Sequence, residues 1–432
     1  MKENSFMKKA TVVILIAVFC GLSLVPITQA VYQLPPPSSV AMNLEQTIFR
    51  RMSIRAFTNE TITDEELSTI LWNAAGYRTD GNRTIAGING TFSNIIYVLK
   101  EDAAYTYNPA SHSLELYKPG DWRSTVGYQY PTAPLVLGLC YNTTLANPDQ
   151  GGIEIGEICQ NLAFTLDALN LGGVVTGGLP PAIDNMGIPP DQAGLIVMPI
   201  GHPLQPYNFK DRPLRITLLP PIKETPLNLT TAIEDRKETT TFTGSITKQQ
   251  LSQLVWSSYG FSSYIDKSHQ EQNSVKRHRT VPSAHGYYPL EIYAVTQTGV
   301  YRYQPNLLNA FLNMFSNFSV DYIGLPVVTY LLKIRPGDNR AELANASSLS
   351  SLATAPLTLV LVLNNVKTRN AGDQYLRFWY LEAGAATHTV MLEATAFGLN
   401  TTIVTPTDAL AIRTLLKLND QFMPLTIVPI GS

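Results

Sequence analysis

Cysteine is scarce in this sequence: three residues in 432, one of them (Cys20) inside an apolar N-terminal run. The remaining two, Cys140 and Cys159, are too few for a disulfide scaffold. Cys140 falls in an apolar strand pattern and Cys159 in a helical one, which predicts two buried thiols, with a single bridge as the alternative. An excess of either charge is also missing. Lys and Arg total 31, Asp and Glu 33, and the net charge is −2. With no basic run, nothing electrostatic draws the chain to nucleic acid. No Gly-x-Ser-x-Gly elbow, Walker loop or dinucleotide fingerprint occurs. His269, His278 and His285 lack metal-ligand spacing, so no metal is expected. What the chain does have is a 45% hydrophobic composition, enough to build real cores.

The N-terminus reads as a targeting segment. Lys2, Lys8 and Lys9 precede an apolar run over residues 10–27, closed by Thr28-Gln29-Ala30 with small residues at −3 and −1. That is the layout of a secretory signal with cleavage after Ala30. The run is also nearly long enough to stay as an uncleaved membrane anchor, and both outcomes are open. Either one predicts a secreted or otherwise extracytoplasmic protein. The sequons at Asn59, Asn82, Asn89, Asn142, Asn228, Asn317, Asn345 and Asn400 fit an exported glycoprotein.

Internal self-similarity is the strongest signal. Thr63-Asp64-Glu65-Glu66 and Thr247-Lys248-Gln249-Gln250 both open a helix with a capping box, in which Thr and the Glu or Gln three residues on satisfy free N–H groups. Both helices carry a Trp (Trp72, Trp256) and stop at a Gly (Gly76, Gly260). Arg83-Thr84-Ile85 then pairs with Arg279-Thr280-Val281, and strand 95–98 with strand 291–294. Lys118-Pro-Gly-Asp-x-Arg pairs with Arg335-Pro-Gly-Asp-x-Arg, and Thr132-Ala-Pro-Leu with Thr354-Ala-Pro-Leu. Helix 155–169 pairs with helix 383–397, and Val197-Met-Pro-Ile-Gly with Val428-Pro-Ile-Gly. These matches keep their order, which predicts two diverged copies of one α+β unit of about 190 residues. Only the second copy has a long insert, at 306–334. It is apolar and aromatic: an extra packing element, a lid, or a patch for lipid or a partner.

Arg51, Ser53 and Arg55 are spaced two apart, so in an extended segment they point the same way. Two guanidinium groups and a hydroxyl on one side suit a phosphate, although such a set is also found on solvated faces. Lys210 and Arg212 repeat the spacing after the last strand of the first copy.

Arg51-x-Ser-x-Arg before a Phe and a capped helix resembles the opening of nitroreductase-family flavoproteins. Lys210-x-Arg212 is similar to their closing phosphate contact. The stretch from Arg279 to Tyr293 resembles the SagB-type dehydrogenase branch, as do Lys118-Pro-Gly-Asp-x-Arg and Arg377-x-x-x-Leu381-Glu382-Ala383-Gly384. The resemblance implies dimers with FMN at the subunit interface. One subunit grips the phosphate and the other lends a Pro-Ser segment against the flavin, so a tandem chain can build that interface from its own halves.

The copies depart from the family pattern in complementary ways. The first keeps the arginines but has Ala86-Gly87 in place of Pro-Ser. The second keeps Pro282-Ser283-Ala284 but has Arg236-x-Glu238-x-Thr240 at the grip, where a glutamate would repel phosphate. One composite FMN site is therefore expected: Arg51, Ser53, Arg55, Lys210 and Arg212, with Gly177 and Gly178 at the flavin edge and Pro282, Ser283 and Ala284 against the ring. The azoline oxidases of the branch are implied to carry a Lys-Tyr pair where this chain has Asn370-Ala371. His285 is the nearest titratable alternative.

The expected organisation is a signal at 1–30, a spacer at 31–41 and nitroreductase-like units at 42–222 and 223–432. Each unit would be a mixed sheet flanked by helices, the two packing as an intramolecular pseudo-dimer. The expected function is an exported FMN oxidoreductase acting on a small molecule. The alternative is a cofactor-free binding or surface protein that meets membrane or partners through its N-terminal segment or the 306–334 insert.

Overall fold

The computed structural model describes residues 31–432 apart from 89, 128, 131, 179–180, 206, 208–214, 218, 263–277 and 307–326. The signal segment, Lys210, Arg212, His269 and most of the insert therefore lie outside the described residues. Among those described, no helix is long and apolar enough to cross a membrane.

Fourteen strands among the described residues form two seven-stranded sheets. The first contains β1 (Val31–Gln33), β2 (Asn94–Leu99), β3 (Ala103–Asn108), β4 (Ser113–Pro119), β5 (Leu135–Asn142), β6 (Gly172–Gly173) and β7 (Gln192–Gly201). The second contains β8 (Arg215–Thr217), β9 (Leu290–Thr296), β10 (Gly299–Gln304), β11 (Val327–Pro336), β12 (Leu357–Asn364), β13 (Asn400–Thr401) and β14 (Phe422–Gly431). Their spatial orders, β1-β4-β3-β2-β5-β7-β6 and β8-β11-β10-β9-β12-β14-β13, place corresponding strands in corresponding positions. The expected mixed character is confined to one ladder. All pairs of the first sheet are antiparallel, and in the second only β8 against β11 is parallel. Hairpin connections such as β2-β3-β4 force antiparallel neighbours, whereas a parallel pair needs a crossover.

Two strands fall outside the expected unit boundaries. β1 belongs to the spacer yet edges the first sheet, and β8, from before residue 223, edges the second. Strand β11 takes in residues 327–334, the tail of the insert.

The helices that bear on the site are α1 (Leu44–Arg50), α2 (Asp64–Ala75), α3 (Pro148–Ala168), α4 (Leu229–Glu234), α5 (Lys248–Tyr259), α6 (Leu376–Ala396) and α7 (Ala409–Leu415), with shorter ones at Arg123–Val126, Arg340–Asn345 and Asn365–Thr368. Capping boxes at Thr63/Glu66 and Thr247/Gln250 start α2 and α5 as expected. Helix α3 begins seven residues before position 155, because Asn147 and Gln150 form a third capping box and Pro148 occupies the first turn. Both long helices are buried on every side: residues 151–167 of α3 and 378–394 of α6 are all inaccessible. An all-round buried helix needs a partner against each face. Here the two pack on one another between the sheets. A methyl group at Gly156 would lie 2.1 Å from the Leu381 carbonyl oxygen, and one at Gly384 would lie 2.0 Å from that of Ile153. Only glycine permits this approach.

The same reciprocity recurs at α1 and α4. Leu44 N donates to Leu227 O at 3.0 Å, and Leu229 N to Met42 O at 3.1 Å. Asn43 and Asn228 cap the two helices. Such exchange of equivalent bonds is the pattern of an isologous interface. Cys140 on β5 and Cys159 on α3 are both buried and free, and burial pushes both thiols up.

Candidate functional site

Residues 51–56, between α1 and α2, belong to no helix or strand. Ile54 is fully buried, and its N–H donates to Gly173 O at 2.9 Å. Met52 is buried too, and its N–H donates to Asp167 Oδ2 at 2.8 Å. Ser53 is half-buried and Arg55 exposed, whereas Arg51 is buried along with Met52 and Ile54. Asp167 lies near the C-terminal end of α3 and also accepts from Tyr207 Oη at 2.7 Å. Burial lifts its carboxyl to about 7, with the Tyr207 hydroxyl, Arg51 and the Met52 N–H pulling the other way.

Arg51 is buried at 3% exposure, and its Nε donates to Arg279 O at 2.9 Å. Burial lowers its pKa. This bond joins Arg51, of the segment expected to grip phosphate, to the chain three residues before Pro282, of the segment expected to face the flavin. The pseudo-equivalent bond exists on the other side. Arg236, 1% exposed, donates through Nη2 to Arg83 O at 3.1 Å, and through Nη1 to Glu238 Oε1 at 2.6 Å. There the acid occupies the cation. Burial raises the pKa of Glu238, while Arg236 lowers it.

The Pro282–Ala284 segment is half-buried. Its conformation is fixed by a buried acid that sequence reasoning quoted only as part of a motif. Glu382 on α6 accepts from Ser283 Oγ at 2.6 Å and from the Tyr259 hydroxyl. Ser283 Oγ in turn accepts from Tyr288 N at 2.9 Å. Burial lifts Glu382 to about 7, against the pull of Ser283, Tyr259 and Arg279. Arg279 spreads over the rings of Tyr259, Phe261 and Tyr288 at 4.6–5.0 Å, a cation–π cage that holds the strand entry. The loop is strained at its end: His285 and Tyr288 have φ of 51° and 47°. His285 is exposed, with ring-edge contacts to Tyr287 and Tyr375. Lys367, absent from the sequence reading, reaches Tyr288 O at 3.4 Å from three residues before the Asn370-Ala371 pair.

Gly177 and Gly178 meet the second half directly. The Phe378 ring would lie 2.9 Å from a methyl group at Gly177, and Arg377 Nη2 donates to Gly178 O. Arg51, Gly177, Gly178 and Pro282–Ala284 thus all lie where the two halves touch, while Lys210 and Arg212 are not described. Chemically the set Arg51, Ser53 and Arg55, two cations and a hydroxyl, is one that a phosphate such as that of FMN could use, with Arg51 buried, Ser53 half-buried and Arg55 exposed, whereas the corresponding Arg236 is paired to Glu238. At Gly177, Phe378 stands where the resemblance puts the flavin edge.

Helices packed with two mostly antiparallel sheets make this an α+β fold. Residues 243–432 match the Nitroreductase family. A candidate nitroreductase of Methanocaldococcus jannaschii is 28% identical over 194 residues, 43% of this chain and 81% of its own length. A solved candidate nitroreductase from Anabaena variabilis is 15% identical and covers 92% of this chain and 94% of its own, with a TM-score of 0.64. Another from Ralstonia eutropha is 28% identical over 42% of this chain and 93% of its own, with a TM-score of 0.39. The likeness to the Nitroreductase family is thus carried by the C-terminal half, and the likeness to the Anabaena structure is one of fold.

Proposed function

We propose that the chain is an exported FMN-dependent oxidoreductase of the nitroreductase family, nearest the SagB-type branch, built as a tandem pseudo-dimer with one flavin site between its halves. The carrying observation is the Arg51–Arg279 bond together with its counterpart, Arg236–Arg83. Equivalent side chains reaching equivalent carbonyls across one contact support duplication, and so do the reciprocal pairs at Met42/Leu229 and Gly156/Gly384. The likeness to the Anabaena structure spans both sheets, which supports the same reading of the fold.

Arg51, Ser53 and Arg55 would hold the phosphate, with Lys210 and Arg212 closing on it. Pro282–Ala284 would back the ring. When bound, the flavin supplies hydride or electron transfer; the protein holds and orients it. Glu382 and Arg279 act indirectly, by fixing the Pro282–Ala284 loop. With Asn370-Ala371 in place of a Lys-Tyr pair, azoline oxidation is disfavoured, and the substrate is a small molecule of another class.

The test is the visible spectrum of the chain from Val31, loaded with excess FMN and desalted. One equivalent of retained flavin per chain is expected. Two equivalents would mean that Glu238 does not close the second site. A folded sample without flavin would favour the cofactor-free binding protein, the reading to which the Phe378 ring at Gly177 lends weight.

A further inference from the structure

Away from the flavin-facing loop, a cleft of about 510 Å³ opens where the first sheet meets the start of α6. That volume is within the range of small-molecule sites. Its walls are largely apolar, with Pro181, Pro189 and Leu195 among them, and its polar lining includes Tyr141, Asp184 and Arg377. Arg377 is the group that needs explaining. It is half-buried; one Nη2–H is spent on Gly178 O, and its Nε is buried without a partner. Among the described residues no carboxylate stands within ion-pair distance of it, although Asp184 is near enough to act on its charge and the guanidinium lies 4.7 Å over the Phe378 ring. A guanidinium carries five donors in a fixed fork that matches a carboxylate. The Nε is closed off from the cleft, so a ligand there would meet the terminal nitrogens. Asp184, the only acid of the lining, has a role of its own, since its carboxylate accepts from Gly194 N. Tyr141 sits close enough to feel the Arg377 charge.

From this geometry we infer that the cleft is a binding site for a small organic monocarboxylate with a compact apolar body, its anion paired to Arg377 and its body against the prolines. A wholly apolar ligand would cover the Arg377 charge without adding an anion to it. A dianion or a polyphosphate would set a second charge against apolar walls and beside Asp184. A monocarboxylate meets both constraints. The inference does not rest on the flavin reading, because no residue of the cleft belongs to the proposed phosphate grip.

The test uses 3-phenylpropionate and its neutral counterpart 3-phenylpropanamide as probes, with binding to the chain from Val31 followed by calorimetry. The carboxylate should bind at least tenfold more tightly than the amide. Arg377→Gln should weaken the carboxylate by tenfold or more and leave the amide unchanged. Asp184→Asn, which removes the one opposing charge, should tighten the carboxylate several-fold; this second variant keeps the idea open to refutation if Arg377→Gln fails to fold. Equal binding of acid and amide, no binding of either, or weaker acid binding by Asp184→Asn would each overturn the assignment. Flavin retention is read separately from its absorbance, so loss of one result does not masquerade as loss of the other.

Discussion

Arg51 donates from Nε to the carbonyl of Arg279 at 2.9 Å, across 228 residues of sequence and from one half of the molecule to the other. The bond fixes how far the cationic segment stands from the Pro282–Ala284 loop. It also splits the work of Arg51: Nε is committed to the protein, which leaves the guanidinium's terminal nitrogens as the ones a phosphate would meet. Arg236 has the same carbonyl partner by correspondence, but its Nη1 is already paired to Glu238.

Replacing Arg51 and Arg55 together with Gln should abolish retention of FMN after desalting, measured as absorbance per chain. Charge-assisted contacts to phosphate contribute roughly 1.5–3 kcal/mol each, so the pair predicts a loss of affinity of a hundredfold or more. Arg55 is exposed, so Arg55→Gln alone should leave thermal stability nearly unchanged while still weakening the cofactor. Undiminished flavin in the double variant would refute the proposed grip.

The crossing of α3 and α6 gives a prediction independent of any cofactor. Gly384→Ala places a methyl group 2.0 Å from the Ile153 carbonyl oxygen, and the atom it meets is backbone, which cannot swing away. Overpacking of this kind costs about 1–3 kcal/mol or more. Chemical denaturation should show that loss for Gly384→Ala and a similar one for Gly156→Ala. By contrast, Gly286→Ala, where φ is 69° but nothing lies within 4 Å, should incur only the smaller strain of its conformation.

Much of this frame could be read in the residues, and the limits were physical. Thr63 and Thr247 announce their helices because capping chemistry is local. The start of α6 was missed by seven residues, since Leu376, Phe378, Trp379 and Leu381 are apolar on all sides and carry no helical stripe. Their burial depends on α3, which lies more than 200 residues away. The spacing of Arg51, Ser53 and Arg55 was legible, but the carbonyl that receives Arg51 was not, because a backbone acceptor leaves no trace in sequence. For the same reason Glu382 read only as part of a motif, until Ser283 and Tyr259 were found bound to it.

Glu382 also predicts a pH response. Its ordinary value is 4.5 and burial lifts it to about 7, so the folded state holds a proton that the unfolded chain releases. Its contribution to stability is full below pH 4.5 and is lost as pH rises through about 7, on the order of 3 kcal/mol. Glu382→Gln cannot titrate. The fall in melting temperature between pH 5 and 7.5 should be shallower in that variant by roughly one proton's worth. Asp167 is lifted in the same direction and should keep part of the slope. Identical slopes in the two proteins would place the ionisation elsewhere.

The Arg236–Glu238 pair offers the sharpest contrast between the halves. Glu238 sits 2.6 Å from a fully buried arginine, in the position equivalent to Ser53. Glu238→Ser should recreate the serine-containing grip and leave Arg236 charged without its partner, at a cost smaller than that of breaking a fully buried pair because the Glu238 side chain is 36% exposed. The cost carries its own test, because an anion that fills the gap stabilises the fold by mass action. Inorganic phosphate at tens of millimolar should raise the melting temperature of Glu238→Ser well beyond its effect on the unaltered chain, while equimolar chloride at matched ionic strength should not. If Arg236 can host a phosphate once Glu238 is gone, then the two halves share one ancestral chemistry, and the glutamate is what now separates them. If phosphate and chloride act alike, Arg236 is a structural cation, and the single-site reading rests on Arg51 and Arg55 alone.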